Sequence, residues 1–496
     1  MSLFDFFRRK KQTVNVPKDS SNVRMAPAET SLKITEHIVV DNSKETYEFS
    51  EEMKQAREYV LHSEKQVVWV YGAAGTGKTS FLEKILYELP KNTVILAPTG
   101  AAAQLISGET IHRYFRLPIL KNPSVYKAQK PEYYVNLKRE SLDLWDSTNF
   151  IVIDEISMVR ADIFDEIDRR MRAAKDSNKP FGKTRLLLMG DPYQLPPVLK
   201  EQDKDDFSRL GYKTPYFFSS KVYKELLETG NVKHICFTKI FRQKDARFLI
   251  ALNHCRLGTM LSEDFEYLNT RVHITAYGKM LKITTTKKEA DSINTNEYNG
   301  IQAEEKLFYA TATELEGYKS YLHDLTQALK AADPNEYKEF PAYPVLKIKV
   351  GTRILLLVNK NNYVNGTIAT ITTITDSLIT ATEGNNTYLI TKHTWEDKEY
   401  VLKNGVLELE TIGTYTQFPI AYGWALTIHK AQGKTVEKIS VSLGNGAFAV
   451  GQAYVALSRV RSLEGLYLTT RVRKSDIKEC KCVNDYFAYC KSREIL

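Results

Sequence analysis

Short apolar runs, each followed by glycine or polar residues, recur through the first half of the chain. The runs lie at 67–70, 94–97, 150–153 and 186–189, and a helical pattern covers 52–62. Continuous apolar runs of this length are typical of strands buried on both faces of a parallel sheet. The pattern therefore predicts an α/β domain whose functional side chains follow the carboxyl ends of the strands.

The pattern changes in the second half of the chain. Segments 353–358, 367–373 and 388–391 are rich in β-branched and apolar residues and are bounded by turn-forming residues. Each segment predicts a short β-strand. We therefore expect an all-β unit inserted into the α/β part of the chain.

Composition limits the class of protein. The 496 residues are 43% hydrophobic and 26% charged, which is typical of a globular chain of about two to four domains. The net charge of +9 permits a polyanionic partner without requiring one. No run approaches the roughly 18–20 apolar residues of a membrane span, so we expect no integral membrane protein and no membrane partner.

The cysteines argue against a disulfide framework. There are five in the whole chain, a count that favours a reducing compartment. Cys480, Cys482 and Cys490 are close in sequence, but no fourth Cys or His lies near them to complete a tetrahedral metal site. We expect these three to be reduced structural thiols.

The chain begins with a segment that has no sustained hydrophobic period. Four basic residues at 8–11 follow three phenylalanines, and residues 13–44 are polar. This segment lacks the long apolar core of a secretory signal. It predicts a flexible basic tail over 1–45, which either touches nucleic acid or is a solvated terminus without a role.

A phosphate-binding motif follows the first apolar run. Residues 72–79 read G-x-x-x-x-G-K-T between a predicted strand and a predicted helix. Glycines let consecutive backbone N–H groups point at a triphosphate, Lys78 reaches the β- and γ-phosphates, and the Thr79 hydroxyl ligates Mg²⁺. The predicted nucleotide-binding residues are Gly72, Gly75, Thr76, Gly77, Lys78, Thr79 and Ser80.

Polar residues after two further runs complete the predicted ATP site. Asp154 would hold Mg²⁺ through water, Glu155 would polarise the attacking water, and Gln194 would sense the γ-phosphate. The alternatives are a polar strand end for the acidic pair and a loop amide that caps backbone for Gln194. The first half thus predicts Mg²⁺-dependent ATP hydrolysis.

The second half holds two arginines and a polar loop but no second phosphate-binding motif. Arg242 and Arg459 suit arginine fingers that reach the γ-phosphate across a cleft, where developing charge needs a fork of donors. The loop over 424–435 mixes hydroxyl, imidazole, amide and ammonium groups and suits a phosphodiester backbone.

As an ordered set, these motifs resemble superfamily-one DNA helicases, and specifically the PIF (petite integration frequency) family. The resemblance covers about 46–470, with a signature segment over 163–197 and matching turns at 350–351 and 364–366. One departure is Met53, where the family often has the glutamine that reads adenine; Gln55 is close. The shared motifs are at 72–79, 97–103, 110–112, 154–158, 190–197, 241–243, 427–433 and 454–459.

The resemblance implies two RecA-like domains with one insertion in each. The first would cover 46–230, with a wedge at about 115–145 that contains Tyr126, Tyr133 and Tyr134. The second would combine 231–350 with 416–496. Residues 351–415 would form an inserted β-barrel of the Src-homology-three type, in agreement with the predicted strands.

The resemblance also implies the activity, an ATP-dependent helicase that moves 5′→3′ on single-stranded DNA and opens duplex, forked or structured DNA. Family roles include DNA repair, recombination and telomere maintenance. We expect a monomer in the free state, located in a bacterial cytosol at the nucleoid rather than in a eukaryotic nucleus or mitochondrion. The expected DNA contacts are Thr99, His112, Asn365, Thr427, His429 and Lys430.

Several alternatives remain open at this point. A RecD-like helicase shares the architecture and polarity, although the segment 195–197 favours the PIF type. A DNA-stimulated translocase or protein remodeller would carry the same catalytic residues without unwinding. A degenerate nucleic-acid-binding module is disfavoured by the intact motifs. His112 could instead be a core histidine.

Overall fold

The computed structural model of the protein describes residues 49–117, 138–243, 245–272, 280–318, 320–337, 340–360, 362–444 and 446–495. The predicted tail over 1–45 and most of the predicted wedge, including Tyr126, Tyr133 and Tyr134, lie outside these residues. No helix within these ranges is long and apolar enough to cross a membrane.

Strands and helices alternate in the first half, and strands dominate between 345 and 422. The strands are β1 (Val67–Gly72), β2 (Thr93–Ala97), β3 (Glu109–Thr110), β4 (Phe150–Ile153), β5 (Arg185–Gly190), β6 (Val232–Phe237), β7 (Leu281–Thr284), β8 (Lys306–Tyr309), β9 (Thr311–Glu314), β10 (Val345–Ile348), β11 (Arg353–Leu356), β12 (Ile368–Ile374), β13 (Leu378–Glu383), β14 (Asn386–Thr391), β15 (His393–Lys403), β16 (Val406–Gln417), β17 (Ile420–Tyr422), β18 (Ala425–Thr427), β19 (Ile439–Ser442) and β20 (Leu466–Leu468).

Helices flank the parallel strands, and a helix is the last element of the described chain. They are α1 (Glu51–His62), α2 (Lys78–Ile85), α3 (Gly100–Leu105), α4 (Ile111–Tyr114), α5 (Arg139–Asp146), α6 (Ala161–Ala174), α7 (Lys204–Arg209), α8 (Lys221–Glu228), α9 (Ala246–Leu257), α10 (Ser262–Asn269), α11 (Lys287–Asn299), α12 (Tyr321–Ala328), α13 (Pro334–Tyr337), α14 (Ile428–Ala431), α15 (Gln452–Leu457) and α16 (Lys481–Ser492).

The first half folds around a six-stranded parallel sheet in the order β3-β2-β4-β5-β1-β6. All four apolar runs of the sequence form strands of this sheet, and β2, β4, β5 and β1 are neighbours. Trp69 and Val68 point to opposite faces of β1 and enter separate hydrophobic cores. The parallel arrangement places the carboxyl ends of these strands side by side, as the sequence predicted.

The second half contains a smaller parallel sheet in the order β18-β7-β19-β20. Its core includes Ile283, Val441 and Leu466, with Phe248 of α9 and Val455 of α15 packed against them. Two α/β units of the same kind therefore face a common cleft, and the links between them lie near 238–245 and 473–480.

An antiparallel sheet of five strands is inserted in the second half, in the order β14-β13-β12-β11-β17. Ile354, Ile379 and Ile390 are fully buried in its core. The three predicted strands correspond to β11, β12 and β14. The last strand, β17, lies at 420–422, so this sheet extends past the predicted limit of residue 415.

A long hairpin, formed by β15 and β16, was not predicted. It pairs with β9 at its base and leaves the inserted sheet to contact the first α/β unit. There the Tyr400 hydroxyl accepts a hydrogen bond from the Ile95 N–H (2.9 Å), and the Tyr400 N–H donates to the Glu109 carboxylate (3.1 Å). Arg113 donates two hydrogen bonds to the Asp397 carboxylate. The hairpin thus joins the inserted part of the second half to the first half.

The last helix also crosses between the halves. The sequence analysis assigned 416–496 to the second domain, but α16 packs in the core of the first. Tyr486 lies with its hydroxyl 2.7 Å from His234 Nε2 and 3.1 Å from the Tyr223 hydroxyl, and its ring lies beside Trp69. This corrects the predicted boundary, because the aromatic residues of α16 match an apolar surface that only the folded first unit provides.

Candidate nucleotide cleft and nucleic-acid interface

The loop after β1 has the backbone shape of a phosphate cradle. Gly75 and Gly77 have φ angles of 84° and 80°, in the left-handed region that favours glycine. A Cβ atom at Gly75 would lie 2.5 Å from the Cβ of Arg242. The loop ends where α2 begins at Lys78, and Thr79 and Ser80 lie exposed on the first turn of α2. The N–H groups in the first turn of α2 have no carbonyl partner in the helix beyond this turn and can bind an anion.

Lys78 is folded into this loop. Its ammonium group donates hydrogen bonds to the carbonyl oxygens of Gly72 (2.8 Å) and Ala73 (3.0 Å). Burial lowers the pKa of Lys78, and the neighbouring carboxylates of Asp191 and Glu155 act in the opposite direction. A phosphate would give this desolvated ammonium a charged partner in place of two neutral carbonyls.

The acidic pair at the end of β4 lies beside the loop. Asp154 accepts a hydrogen bond from the Glu155 N–H (2.9 Å), and Glu155 has a φ angle of 51°. Burial raises the pKa of Asp154, and burial together with Asp154 raises the pKa of Glu155 to about 7. A divalent cation here would relieve the repulsion between the two carboxylates.

The residues present fit Mg²⁺ only together with a nucleotide. Within the ranges that the structure describes, no group of three or more His, Cys, Asp or Glu side chains could hold a metal ion. Mg²⁺ commonly takes one or two carboxylates and completes its shell with phosphate oxygens and water. The Asp154 carboxylate and the Thr79 hydroxyl are oxygen donors of that kind.

Gln432 joins the two halves of the cleft and was not among the predicted site residues. Its side-chain N–H₂ donates to the Glu155 carboxylate (3.3 Å) and to the Gln194 carbonyl oxygen (3.2 Å). Gln194 in turn donates to Asp191 (3.4 Å). Gln432 directly follows α14, so a residue of the second α/β unit contacts the two side chains predicted to act on water and on the γ-phosphate.

Both predicted arginine fingers lie in the cleft, but their donors are engaged by backbone groups of the second unit. Arg459 is only 1% exposed and donates to the carbonyl oxygens of Val455 (2.7 Å) and Lys434 (3.2 Å). Arg242 donates to the Ser458 carbonyl (3.4 Å). Burial, followed by the nearby charge of Arg242, lowers the pKa of Arg459 to about 9.

Two further contacts, besides those of Gln432, hold the cleft closed. Arg256 of α9 forms a buried ion pair with Asp191 (2.8 Å), which follows β5, and lies over the Tyr193 ring (4.5 Å). The Tyr454 hydroxyl accepts a hydrogen bond from the Ala74 N–H in the phosphate loop (2.8 Å). A cavity of about 20 Å³ lies between Ala74, Arg256 and Tyr454.

Two of the predicted DNA contacts, Thr99 and Thr427, occupy equivalent positions in the two α/β units. Thr99 caps α3 after β2 by accepting from the Ala102 N–H (3.2 Å), and Thr427 caps α14 after β18 by accepting from the Lys430 N–H (3.2 Å). Each threonine therefore starts a short helix at the carboxyl edge of its own sheet. The other N–H groups in the first turn of each helix point the way a phosphate-binding site requires.

His112 shares a cavity with Thr99. The cavity has a volume of about 170 Å³ and includes the apolar side chains of Ile111, Met158 and Val198. Burial lowers the pKa of His112, so the ring is neutral near pH 7. His112 therefore lines a cavity, and its contact with DNA stays a prediction.

The remaining predicted contacts lie on the second unit. His429 and Lys430 are exposed on α14, and partial desolvation of the imidazole ring lowers the pKa of His429. Asn365 of the inserted sheet accepts a hydrogen bond from Lys434 (3.1 Å). The structure therefore connects Asn365 to the segment after α14 through Lys434, a residue outside the predicted set.

Comparison with known proteins matches residues 46–265 to the PIF1-like helicase family. The human ATP-dependent DNA helicase PIF1 is 32% identical over 428 residues, which is 84% of this chain and 60% of the human protein. The crystal structure of Bacteroides sp Pif1 in complex with ADP-AlF4 is 31% identical and covers 90% of this chain and 98% of its own, with a TM-score of 0.77.

The chain belongs to the PIF1-like helicase family.

A second Bacteroides Pif1 structure, bound to ssDNA, is also 31% identical and covers 90% of this chain and 97% of its own, with a TM-score of 0.62. These likenesses confirm the predicted family and the fold class of two RecA-like domains. The chain spans between 58% and 60% of the length of the vertebrate PIF1 relatives that it matches.

The departure at Met53 from the family pattern has a structural counterpart. Met53 lies on α1 with its side chain fully buried in the core beneath β1. Gln55 is exposed on the same helix. Met53 therefore contributes to packing in this PIF1-like protein, and a glutamine there would lose that apolar contact.

Proposed function

We propose that this protein is an ATP-dependent DNA helicase that moves 5′→3′ on single-stranded DNA and unwinds duplex, forked or structured DNA. One observation carries the proposal. The short helix α14 offers His429 and Lys430 at the surface where DNA contacts are proposed, while Gln432, at its end, touches Glu155 and Gln194. A shift of this helix on the DNA would alter the ATP site directly.

The proposed hydrolysis uses the residues of the cleft. The loop at 72–79 binds the triphosphate, with Lys78 at the β- and γ-phosphates. Glu155 orients and deprotonates the attacking water, and Gln194 contacts the γ-phosphate. Arg242 and Arg459 would exchange backbone carbonyls for phosphate oxygens when the cleft closes on ATP, and so stabilise the charge that develops during transfer.

The proposed metal site consists of Asp154 and the Thr79 hydroxyl. When bound, Mg²⁺ would neutralise charge on the phosphate oxygens. Asp154 is already positioned by its hydrogen bond from the Glu155 N–H. These two residues therefore hold their oxygens at the carboxyl edge of the sheet.

Strand displacement tests the proposed function directly. Paired duplex substrates with either a 5′ or a 3′ single-stranded tail are mixed with the protein and ATP, and Lys78→Ala is the control. We expect displacement only from the 5′ tail and none with the variant. DNA-stimulated ATP hydrolysis without displacement on either substrate would instead identify a translocase or remodeller.

Hydrolysis is expected to depend on pH through Glu155. Its pKa is raised to about 7, and only the ionised carboxylate accepts a proton from water. The value of kcat/KM for ATP should therefore rise from about pH 6 and level off above about pH 8. Steady-state rates across this range, with binding of a fluorescent ATP analogue measured in parallel, check the prediction. A flat rate profile would exclude Glu155 as the base.

The hairpin contact is expected to oppose DNA binding. The likeness to the Bacteroides Pif1 with ADP-AlF4 exceeds the likeness to the one bound to ssDNA, with TM-scores of 0.77 and 0.62. We infer that the contact between Arg113 and Asp397 belongs to the arrangement without DNA. Weakening it by Asp397→Asn should favour the DNA-bound arrangement and lower the Kd for single-stranded DNA by about 5–10-fold.

Fluorescence anisotropy with a labelled oligonucleotide measures this change. Glu410→Gln on β16 is the matched control, since its partner Lys403 lies on the same hairpin and the pair does not reach the first domain. An unchanged Kd in Asp397→Asn would mean that the hairpin contact survives DNA binding.

We further propose that the protein acts at the bacterial nucleoid. The support is the likeness to Bacteroides Pif1 over 98% of that chain. A fluorescent fusion that follows stained DNA in bacterial cells would agree with this location, whereas a signal excluded from DNA would oppose it.

A further inference from the structure

Two cysteines lie side by side where the chain crosses from the second domain to the first. Cys480 and Cys482 are separated only by Lys481, the first residue of α16, and their sulfur atoms are 3.7 Å apart. The sequence alone suggested inert thiols, since no metal ligand set could be completed. The geometry instead pairs two thiols at a junction between the domains.

The surroundings make the two thiols unequal. The Tyr216 hydroxyl lies 3.3 Å from the Cys480 sulfur, on the side of the first domain. The hydrogen bond from Cys482, assisted by the one from Tyr216, lowers the pKa of Cys480 to about 7, whereas the same contact raises the pKa of Cys482. Cys480 is buried and Cys482 is half-buried, so a small oxidant reaches the pair from the Cys482 side.

We propose that Cys480 and Cys482 form a redox-active dithiol that closes to a disulfide in the presence of hydrogen peroxide, and that this modification slows ATP turnover.

The chemistry needs peroxide as its only co-reactant. The Cys480 thiolate attacks one peroxide oxygen, the O–O bond breaks, and the departing hydroxide takes a proton to become water. The resulting sulfenic acid is attacked by the Cys482 sulfur, the S–O bond breaks, and a second water leaves with the Cys482 proton. The two thiols lose two electrons and two protons, and the peroxide is reduced to two waters.

A short chain of contacts links this pair to the ATP cleft. Asn484, two residues after Cys482, accepts a hydrogen bond from the Tyr193 hydroxyl (2.9 Å). The Tyr193 N–H donates to Asp191 (3.2 Å), and Gln194 is the next residue. A disulfide needs the sulfur atoms at about 2.0 Å, so the first turn of α16 must move when the bond forms. The loop that carries Gln194 would move with it.

Tryptic peptides report the bond directly. Trypsin cuts after Lys481, so a disulfide joins the peptides 479–481 and 482–491. The full chain is treated with hydrogen peroxide, its free thiols are alkylated, and the digest is analysed by mass spectrometry. We expect a linked pair of peptides in which Cys490 is alkylated and Cys480 and Cys482 are not, and dithiothreitol should separate the two peptides. ATP turnover, which depends on the proposed function, should fall by about threefold or more on the same time course and recover on reduction.

Cysteine variants identify which thiols form the disulfide, and they separate the readout of linked peptides from the readout of ATP turnover. Cys490→Ser and Cys236→Ser should keep both the linked peptides and the loss of turnover, whereas Cys482→Ser and Cys480→Ser should lose both. The linked peptides do not depend on ATP hydrolysis, so an inactive protein would still reveal the bond. Peptides that stay unlinked, or a complete link with turnover unchanged, would overturn the proposal.

Discussion

Replacing Arg459 with alanine is expected to lower DNA-stimulated ATP hydrolysis by about 10²–10³-fold, with little change in the affinity for ATP. The guanidinium is almost fully buried in the cleft and its donors rest on backbone carbonyls of its own domain. A desolvated guanidinium of this kind interacts strongly with charge that appears in the transition state. Turnover at saturating DNA, together with the Kd of a fluorescent ATP analogue, separates the two effects.

Two further variants test whether the effect of Arg459→Ala comes from a loss of packing. Arg459→Lys keeps the charge but has no planar fork, so we expect a rate nearly as low as that of the alanine variant. Arg461→Ala removes an exposed arginine two residues away and should hydrolyse ATP normally. A parallel loss of nucleotide affinity and turnover in Arg459→Lys would mean that this arginine only supports the fold of the cleft.

Loss of one partner of the buried pair between Asp191 and Arg256 is expected to destabilise the protein by about 3–5 kcal/mol. Asp191 is fully buried and accepts hydrogen bonds from two nitrogen atoms of Arg256. Removing the charge of either residue leaves the charge of the other buried without its main partner. Asp191→Asn or Arg256→Gln should lower the thermal unfolding midpoint by on the order of 10 °C.

A double variant and a variant of an exposed ion pair serve as controls for these midpoints. The double variant Asp191→Asn/Arg256→Gln removes both charges, so its midpoint should lie above that of the worse single variant. Lys287 and Glu336 form an ion pair in which both side chains are 61% exposed, and Lys287→Gln should change the midpoint by only about 1–2 °C. Equal shifts for the buried and exposed pairs would contradict this account of the cleft.

Sequence patterns predicted the parts of the molecule whose structure depends on residues that are close together in the sequence. The four apolar runs became neighbouring strands because burial on both faces of a sheet requires continuous apolar sequence. The glycine loop before Lys78 was predictable because its backbone angles need glycine at two positions. Thr99 and Thr427 share a local role as helix caps, and both were among the expected DNA contacts.

The cleft closure could not be predicted because its partners are distant in the chain. Arg256 and Asp191 are separated by 65 residues, and Tyr454 and Ala74 by 380. Neither a single arginine on a helix nor the first tyrosine of a motif has a periodic or spacing signal that identifies its partner. The hairpin was missed for a related reason, since its many charged residues reduce the apolar alternation that marks a half-buried strand.

The return of α16 to the first core has a mechanical consequence. A body attached at one point swings in any direction, whereas a body attached at two points turns about the line that joins them. The second domain is attached to the first by the chain at 238–245 and again at 473–480, where α16 is anchored by Tyr486. We therefore expect the second domain to rotate about one axis when the cleft opens, with sliding motions suppressed.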